Sequence, residues 1–284
     1  QVGFELRRSL AALGCISAPT RQQLDLYDSH AVESYLTDLQ PDLIVNAAAY
    51  TAVDKAESET DQTQRLNAAL PAQLAKYASQ NHIWLVHYSS DYVYPGDGTE
   101  PYAEDATTGP LGVYGQSKLA GDNAIIASGA NHLIFRTSWV YSARGNNFMK
   151  TMLRLGRERA QLAVVGDQIG APTPARLIAD ITALALAGAQ SGGESELQPG
   201  IYHLAPRGET SWHGFAQAIF KQATAQGATF AIIPEQVNAI TTADYPTPAQ
   251  RPKNSRLQLG KLEQALSIQL PSWDSQLALT LEEY

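Results

Sequence analysis

The chain has a single cysteine, Cys15, and only two methionines among its 284 residues. One thiol cannot close an internal disulfide, so the fold must rest on its hydrophobic core, and a reducing compartment such as the cytoplasm is the expected setting. Basic residues are also in short supply: 20 Lys and Arg against 28 Asp and Glu give a formal net charge of -8 and a pI near 5.2. A surface that holds a phosphate backbone needs clustered cations, and here they are scattered, so nucleic acid is not an expected partner. No apolar run approaches the roughly 20 residues needed to cross a bilayer. The opening residues lack the basic, apolar and small-residue zones of a secretory signal. Repeats and low-complexity tracts are missing too. What is present is 44% hydrophobic residues, enough to build one large domain, or a main domain with a smaller one beside it.

Short apolar runs alternate with amphipathic stretches through the first half. This pattern predicts buried strands at 43–48, 83–89 and 133–138, a further strand at 15–18, and helices over 58–80, interrupted at Pro71, and 114–128. Such βαβ alternation means an α/β fold with a Rossmann-type, doubly wound parallel sheet. Beyond Tyr141 the pattern loosens. Helices are expected over 148–159, 176–189 and 212–226, strands over 162–165 and 200–204, a Gly, Ser and Glu-rich loop over 190–200 and a Pro-rich loop over 245–252. The expected organisation is a dinucleotide-binding domain over 1–141. Residues 142–284 would form mainly a smaller α/β substrate-binding cap, with some segments returning to the first domain.

A dinucleotide-binding sheet opens with a strand and a Gly-rich turn whose following helix N-terminus receives the pyrophosphate. This sequence begins Gln1-Val2-Gly3-Phe4-Glu5-Leu6, at the turn-to-helix junction. Gly3 reads as the last glycine of the motif, with Gln1 and Val2 on the phosphate side. The expectation is that about ten upstream residues, a strand and its turn, precede Gln1. The plainer alternative is a chain that simply begins with a helix.

The sharpest constellation is Tyr114-Gly115-Gln116-Ser117-Lys118, preceded by Ser89-Ser90-Asp91-Tyr92 at the C-terminal end of a predicted strand. Residues four apart share a helix face, so Tyr114 and Lys118 can serve one site. Tyrosine ionises near pH 10 when unperturbed, and a neighbouring ammonium and a cationic nicotinamide make proton exchange with a sugar oxygen accessible. Ser90 would donate a hydrogen bond to that oxygen as charge develops, and Lys118 would also reach the nicotinamide ribose. Alone, Tyr-x-x-x-Lys recurs by chance on many helices as a packed tyrosine beside a solvated lysine. Its order after a strand ending in Ser-Ser-Asp and a Gly and Pro-containing loop sets this instance apart.

Four further segments carry a family resemblance: Val45-Asn46-Ala47-Ala48-Ala49-Tyr50-Thr51-Ala52-Val53-Asp54-Lys55-Ala56-Glu57, His87-Tyr88-Ser89-Ser90-Asp91-Tyr92-Val93-Tyr94, Phe135-Arg136-Thr137-Ser138-Trp139-Val140-Tyr141 and Arg251-Pro252-Lys253-Asn254-Ser255-Arg256-Leu257. With them the chain resembles, over essentially its whole length, the dTDP-4-dehydrorhamnose reductases of the extended short-chain dehydrogenase/reductase family. The resemblance implies NAD(P)-dependent reduction of dTDP-4-dehydro-L-rhamnose to dTDP-L-rhamnose, the last step of an activated-sugar pathway feeding polysaccharide synthesis. It implies catalytic roles for Tyr114 and Lys118, and for Ser90 where relatives usually carry threonine. Asp91, Tyr92 and Trp139 match substrate-contacting positions, and Asn147, Arg251 and Arg256 fall in segments that hold the nucleotide and its phosphates. Ala47, Ala48, Ala49, Thr51 and Tyr88 match the cofactor side, and Asp25 and Leu26 the adenine side. Without the resemblance, Trp139 reads equally well as a core aromatic, the two arginines as a solvated loop, the alanines as a close helix-sheet contact, and Asp25 with Leu26 as an ordinary loop.

After the 15–18 strand the chain offers Pro19-Thr20-Arg21 and no carboxylate. A carboxylate there would favour an unphosphorylated ribose and an arginine the 2′-phosphate, so Thr20 and Arg21 point to NADPH over NADH. Some relatives hold a divalent ion such as Mg2+ between subunits on acidic residues. Glu5 and Glu283 fit such a set but Arg176 stands where a third acid would be, so metal and homodimer stay open. Two rival functions remain: another nucleotide-sugar epimerase or dehydratase, disfavoured because Tyr92 rather than Glu follows Asp91, and a non-catalytic, reductase-like regulatory subunit.

Overall fold

The computed structural model describes residues 1–190 and 197–284; most of the predicted 190–200 loop lies outside them. The strands are β1 (Leu43–Asn46), β2 (Trp84–Ser90), β3 (His132–Thr137), β4 (Val140–Tyr141), β5 (Leu162–Val165), β6 (Ile169–Gly170), β7 (Thr173–Pro174), β8 (Gly200–His203), β9 (Thr210–Ser211) and β10 (Val237–Ile240). The first-half helices are α1 (Val2–Ser9), α2 (Ser29–Leu39), α3 (Val53–Ala56), α4 (Thr60–Gln64), α5 (Leu70–Gln80) and α6 (Val113–Ala127). They are followed by α7 (Phe148–Glu158), α8 (Ala175–Gln190), α9 (Trp212–Ala225), α10 (Gly260–Leu266) and α11 (Trp273–Glu282).

The central sheet is parallel, in the order β1-β2-β3-β8. Its strands are apolar on both faces because helices cover both. Val86, Leu133 and Phe135 pack with Leu6 of α1 and with Leu177, Ile178 and Ile181 of α8. On the opposite face Ile44, Leu85 and Ile134 meet Val32 and Leu36 of α2, Leu70 and Leu74 of α5 and Ile125 of α6. A separate core gathers around β5 and β10, where Met149, Met152 and Leu153 of α7 meet Phe215, Ile219 and Phe220 of α9. Both methionines of the chain are spent there. Thus α8 and β8, late in the sequence, belong to the sheet, whereas α7, α9 and the β5-β10 pair build the second core.

One sequence expectation needs correction. Residues 15–18 form no strand and are exposed, because a strand exists through its ladder and none of the described strands lies beside them. The expected interruption near Pro71 takes another form, with Pro71 in the first turn of a new element. The helix runs from α4 to α5 through a π-helical turn, Arg65–Ala69, and Pro71 sits in the first turn of α5, where no backbone donor is required of it.

Candidate active site

The C-terminal ends of β1 and β2 and the first half of α6 converge at one place. Two glycines allow the approach. A Cβ on Gly115 would stand 2.3 Å from the Tyr92 carbonyl oxygen, and one on Gly121 2.2 Å from that of Asn67, so α6 lies against both backbones only because these positions carry no side chain. Asn67, in the π-turn, locks the arrangement. Its amide accepts from Tyr50 N (2.8 Å) and donates to Tyr50 O (3.0 Å) and to Ser117 Oγ (3.1 Å), and the Ser117 hydroxyl donates to the Tyr114 carbonyl (2.7 Å). Glu57 accepts from Val113 N at the start of α6 (2.9 Å).

Tyr114 is held between β2 and Tyr92, whose ring meets it edge-on at 5.3 Å. Burial, and then the nearby Asp91 carboxyl, push the Tyr114 phenol well above its ordinary value, while the Ser90 hydroxyl beside it pulls the other way. Ser90 Oγ donates to Asp91 Oδ1 (2.9 Å) and accepts from Tyr92 N (3.2 Å). Asp91 is only 2% exposed, and burial raises its carboxyl to about 6 against the opposing Ser255 and Ser90 hydroxyls. Its side chain is directed inward, so it braces Ser90.

Lys118, one turn after Tyr114, is fully buried. Its Nζ donates to the Tyr88 carbonyl (2.6 Å) and faces His87 Nε2 at 3.2 Å. Burial lowers the ammonium to about 8 even though Asp122 favours the charged form. Asp122, also buried, accepts from Ser89 Oγ (2.9 Å) and from Arg136 Nε (3.1 Å). Arg136 in turn donates to Tyr94 (2.8 Å), which meets His203 Nε2 at 2.6 Å.

A parallel sheet with a tyrosine, lysine and serine at its C-terminal edge accommodates several chemistries, and comparison with known proteins narrows them. The RmlD substrate binding domain family model matches residues 1–284. The dTDP-4-dehydrorhamnose reductase of Shigella flexneri is 48% identical over 277 residues, covering 96% of this chain and 91% of that protein. The chain belongs to the dTDP-4-dehydrorhamnose reductase family. The Burkholderia thailandensis reductase is 44% identical over 274 residues, with 96% and 92% covered. Among solved structures, the dTDP-4-dehydrorhamnose reductase of Bacillus anthracis in complex with NADP superposes with a TM-score of 0.89 at 33% identity, over 100% of this chain and 95% of that one. The Clostridium acetobutylicum enzyme gives 0.90 at 32%, over 100% and 95%.

In this reductase-family chain the expected cofactor-side residues follow the rim of the sheet. Ala47, Ala48 and Ala49 continue β1, half-buried, and a Cβ on Gly3 would lie 3.7 Å from the Ala47 methyl, so α1 approaches the sheet end closely. Thr51 is exposed beyond them. Val2 packs on the sheet core, and Gln1 Oε1 accepts from Asn147 Nδ2 (2.9 Å) and Ser142 Oγ (3.2 Å). Thr20 bonds to Gln23, Arg21 lies over the Tyr27 ring at 5.7 Å, and Asp25 accepts from Tyr27 N (3.0 Å), with Leu26 tucked against the α2 side. Tyr88 presents its carbonyl to Lys118 but ties its hydroxyl to Thr182 on α8 (2.8 Å).

The expected substrate residues beyond Ser90 and Asp91 lie in four places. Trp139 adopts a left-handed backbone (φ 49°) and stacks on Trp212 with centroids 3.8 Å apart. Such strain concentrates at functional sites. Arg251 Nη2 pairs with Asp54 Oδ2 (2.6 Å), and its Nη1 donates to the Tyr92 hydroxyl (3.2 Å). Arg256 pairs with Glu209 (2.5 Å) on the wall of a cavity of about 440 Å³, which Gly170, Ala171, Arg207 and Gln258 also line. Asn147 stands just before α7. Its Oδ1 caps α7 through Lys150 N (3.1 Å), and its amide donates to Gln1 and to the Ser142 carbonyl (2.7 Å), so the side chain holds a loop together. Sequence reading missed Asn46, Asp54, His87, Asp122 and Trp212. Asn46, Asp54 and His87 lay inside motifs already noted, and their polarity within an apolar strand or beside one was the available signal.

Arg176 bears directly on the candidate cation set. Its guanidinium lies 3.1 Å from Asp180, 3.5 Å from Glu283 and 3.8 Å from Glu5. A positive side chain thus stands among the acids that were candidates for a divalent ion, and these residues do not fit one. Among the described residues no helix is long and apolar enough to cross a membrane.

Proposed function

We propose that this reductase converts dTDP-4-dehydro-L-rhamnose to dTDP-L-rhamnose with NADPH as reductant, the final step of dTDP-L-rhamnose synthesis, working in the cytoplasm on a small nucleotide-sugar. The observation that carries this reading is the meeting of Tyr114, Lys118 and Ser90 at the end of β2 in a chain 48% identical to an enzyme of that name. The small side chains at 47–49 leave room for a dinucleotide at the sheet end. Arg21, without a neighbouring carboxylate at 19–21, suits the 2′-phosphate of NADPH.

When bound, NADPH supplies the hydride. The carbonyl at C4 of the sugar would become CH–OH by gaining that hydride at carbon and the Tyr114 phenol proton at oxygen, leaving a phenolate to be reprotonated. The raised Tyr114 phenol suits an acid, since it keeps its proton until the oxygen becomes basic. Ser90 turns its hydroxyl from Asp91 to the same oxygen as negative charge accumulates. Lys118 would hold the nicotinamide ribose. Tyr92 and Arg251 flank the sugar and diphosphate, and the Trp139-Trp212 stack closes the apolar side. Residues 1–141 with α8 and β8 form the dinucleotide domain, and the core around α7, α9 and β5 forms the cap. No step passes through a metal, and any homodimer would form without one bridging Glu5 and Glu283. The test is conversion of dTDP-4-dehydro-L-rhamnose by the protein with NADPH, with the product identified by NMR; release of an epimerised or dehydrated sugar instead would replace this reading.

A further inference from the structure

The β1-β2 register sets Asn46 beside His87, and β2 sets His87 beside Lys118. All three side chains are buried, at 5%, 0% and 1% exposure. Ala48 N donates to Asn46 Oδ1 (3.2 Å), which fixes the amide so that Nδ2 points at His87 Nδ1 (3.0 Å). An amide nitrogen only donates, so Nδ1 carries the lone pair and the proton of the neutral ring sits on Nε2. That Nε2–H faces Lys118 Nζ at 3.2 Å. An ammonium has no lone pair to receive it; an amine does, and still donates to the Tyr88 carbonyl at 2.6 Å. Reversing the Asn46 amide would only move the donor-donor clash to Ala48 N.

We infer that Asn46 and His87 are positioning residues that run a one-way hydrogen-bond chain into Lys118 and disfavour its ammonium form relative to the amine. The chain runs from Ala48 N–H to Asn46, from Asn46 to His87, from His87 to Lys118 and from Lys118 to the Tyr88 carbonyl, with every donor matched. Other charged groups near Lys118 do not reverse this. Asp122, on α6, favours the ammonium, but its carboxylate is shared with Arg136 of β3 at 3.1 Å. Tyr114, on the same helix face, keeps its proton. Burial shifts both His87 and Lys118 downward, in the same direction as the chain. Its bearing on turnover rests on the catalytic reading of Lys118 given above.

The experiment is a lysine 13Cε/15Nζ NMR titration of the full chain without cofactor, with Lys118 assigned by the signal lost in Lys118→Arg. Lys118 is expected to titrate about two pH units below the surface lysines, which lie near 10.4. In Asn46→Asp, a carboxylate takes the Nδ1 proton and turns Nε2 into an acceptor, and the Lys118 midpoint rises by about one unit or more. His87→Leu removes the facing N–H and raises it as well, and being apolar in an apolar layer it keeps the test open where Asn46→Asp fails to fold. A Lys118 signal that titrates with the surface lysines, or a midpoint unmoved in the folded variants, overturns the inference. Steady-state turnover of Lys118→Met separates the two readings: lost turnover with unmoved midpoints removes the chain and keeps the catalytic role, whereas shifted midpoints with normal turnover do the opposite.

Discussion

Asp54 and Arg251, 197 positions apart, meet in an ion pair of 2.6 Å that joins the first turn of α3 to the Pro-rich segment near the C-terminus. The same guanidinium holds the Tyr92 hydroxyl, and Tyr92 lies edge-on against Tyr114. The pair is partly solvated, so Asp54→Asn is expected to cost less than about 1 kcal/mol of stability. Its effect belongs on the substrate, because Arg251 and Tyr92 lose a shared anchor. KM for the nucleotide-sugar should rise several-fold with kcat little changed. Steady-state kinetics with chemical denaturation of the same variant checks both halves, and a large stability loss with unchanged KM contradicts this account.

Tyr114→Phe removes one oxygen and the proton it carries. Turnover is expected to fall by about a hundred-fold or more. NADPH affinity, measured by fluorescence titration, should stay within about two-fold, since the ring still packs against Tyr92.

Asp91 makes the protein's stability pH-dependent. Its carboxyl is raised from 3.8 to about 6, so folding favours the protonated form. Below pH 4 both states are protonated; as pH rises from about 4 to about 6 the unfolded chain gives up this proton while the folded state keeps it, so stability declines, and above about 6 both are ionised and the loss is complete. Asp91→Asn is neutral throughout and should be the more stable protein by about 3 kcal/mol at pH 8, with the difference vanishing towards pH 4. Urea denaturation at the two pH values reads this directly, and a variant less stable at pH 8 contradicts it.

The sheet strands β1 to β3 were legible within two residues at each end, because a strand buried on both faces announces itself as a short apolar run. Tyr114, Lys118 and Ser90 were legible because their relation is local: one helical turn, and the end of one strand. Asn46 and His87 were not, since their meeting depends on the register between strands 41 positions apart, which no local period encodes. The stack of Trp139 on Trp212 joins two elements in the same hidden way. The 15–18 segment failed for the converse reason, having strand-like residues but no ladder beside it among the described strands.

Arg176 supplies in one side chain the positive charge that Glu5, Asp180 and Glu283 require. Chelating divalent ions is therefore expected to leave the melting temperature unchanged. Arg176→Glu should lower it by a few degrees, and added Mg2+ should recover part of the loss. A wild-type melting temperature that falls on chelation would contradict this assignment.

The central claim is tested most directly by following NADPH oxidation by the protein with dTDP-4-dehydro-L-rhamnose generated in place. The account predicts one NADPH consumed for each dTDP-L-rhamnose formed, and loss of both in Tyr114→Phe. Tight NADPH binding without oxidation of the cofactor, or oxidation without dTDP-L-rhamnose, would contradict it.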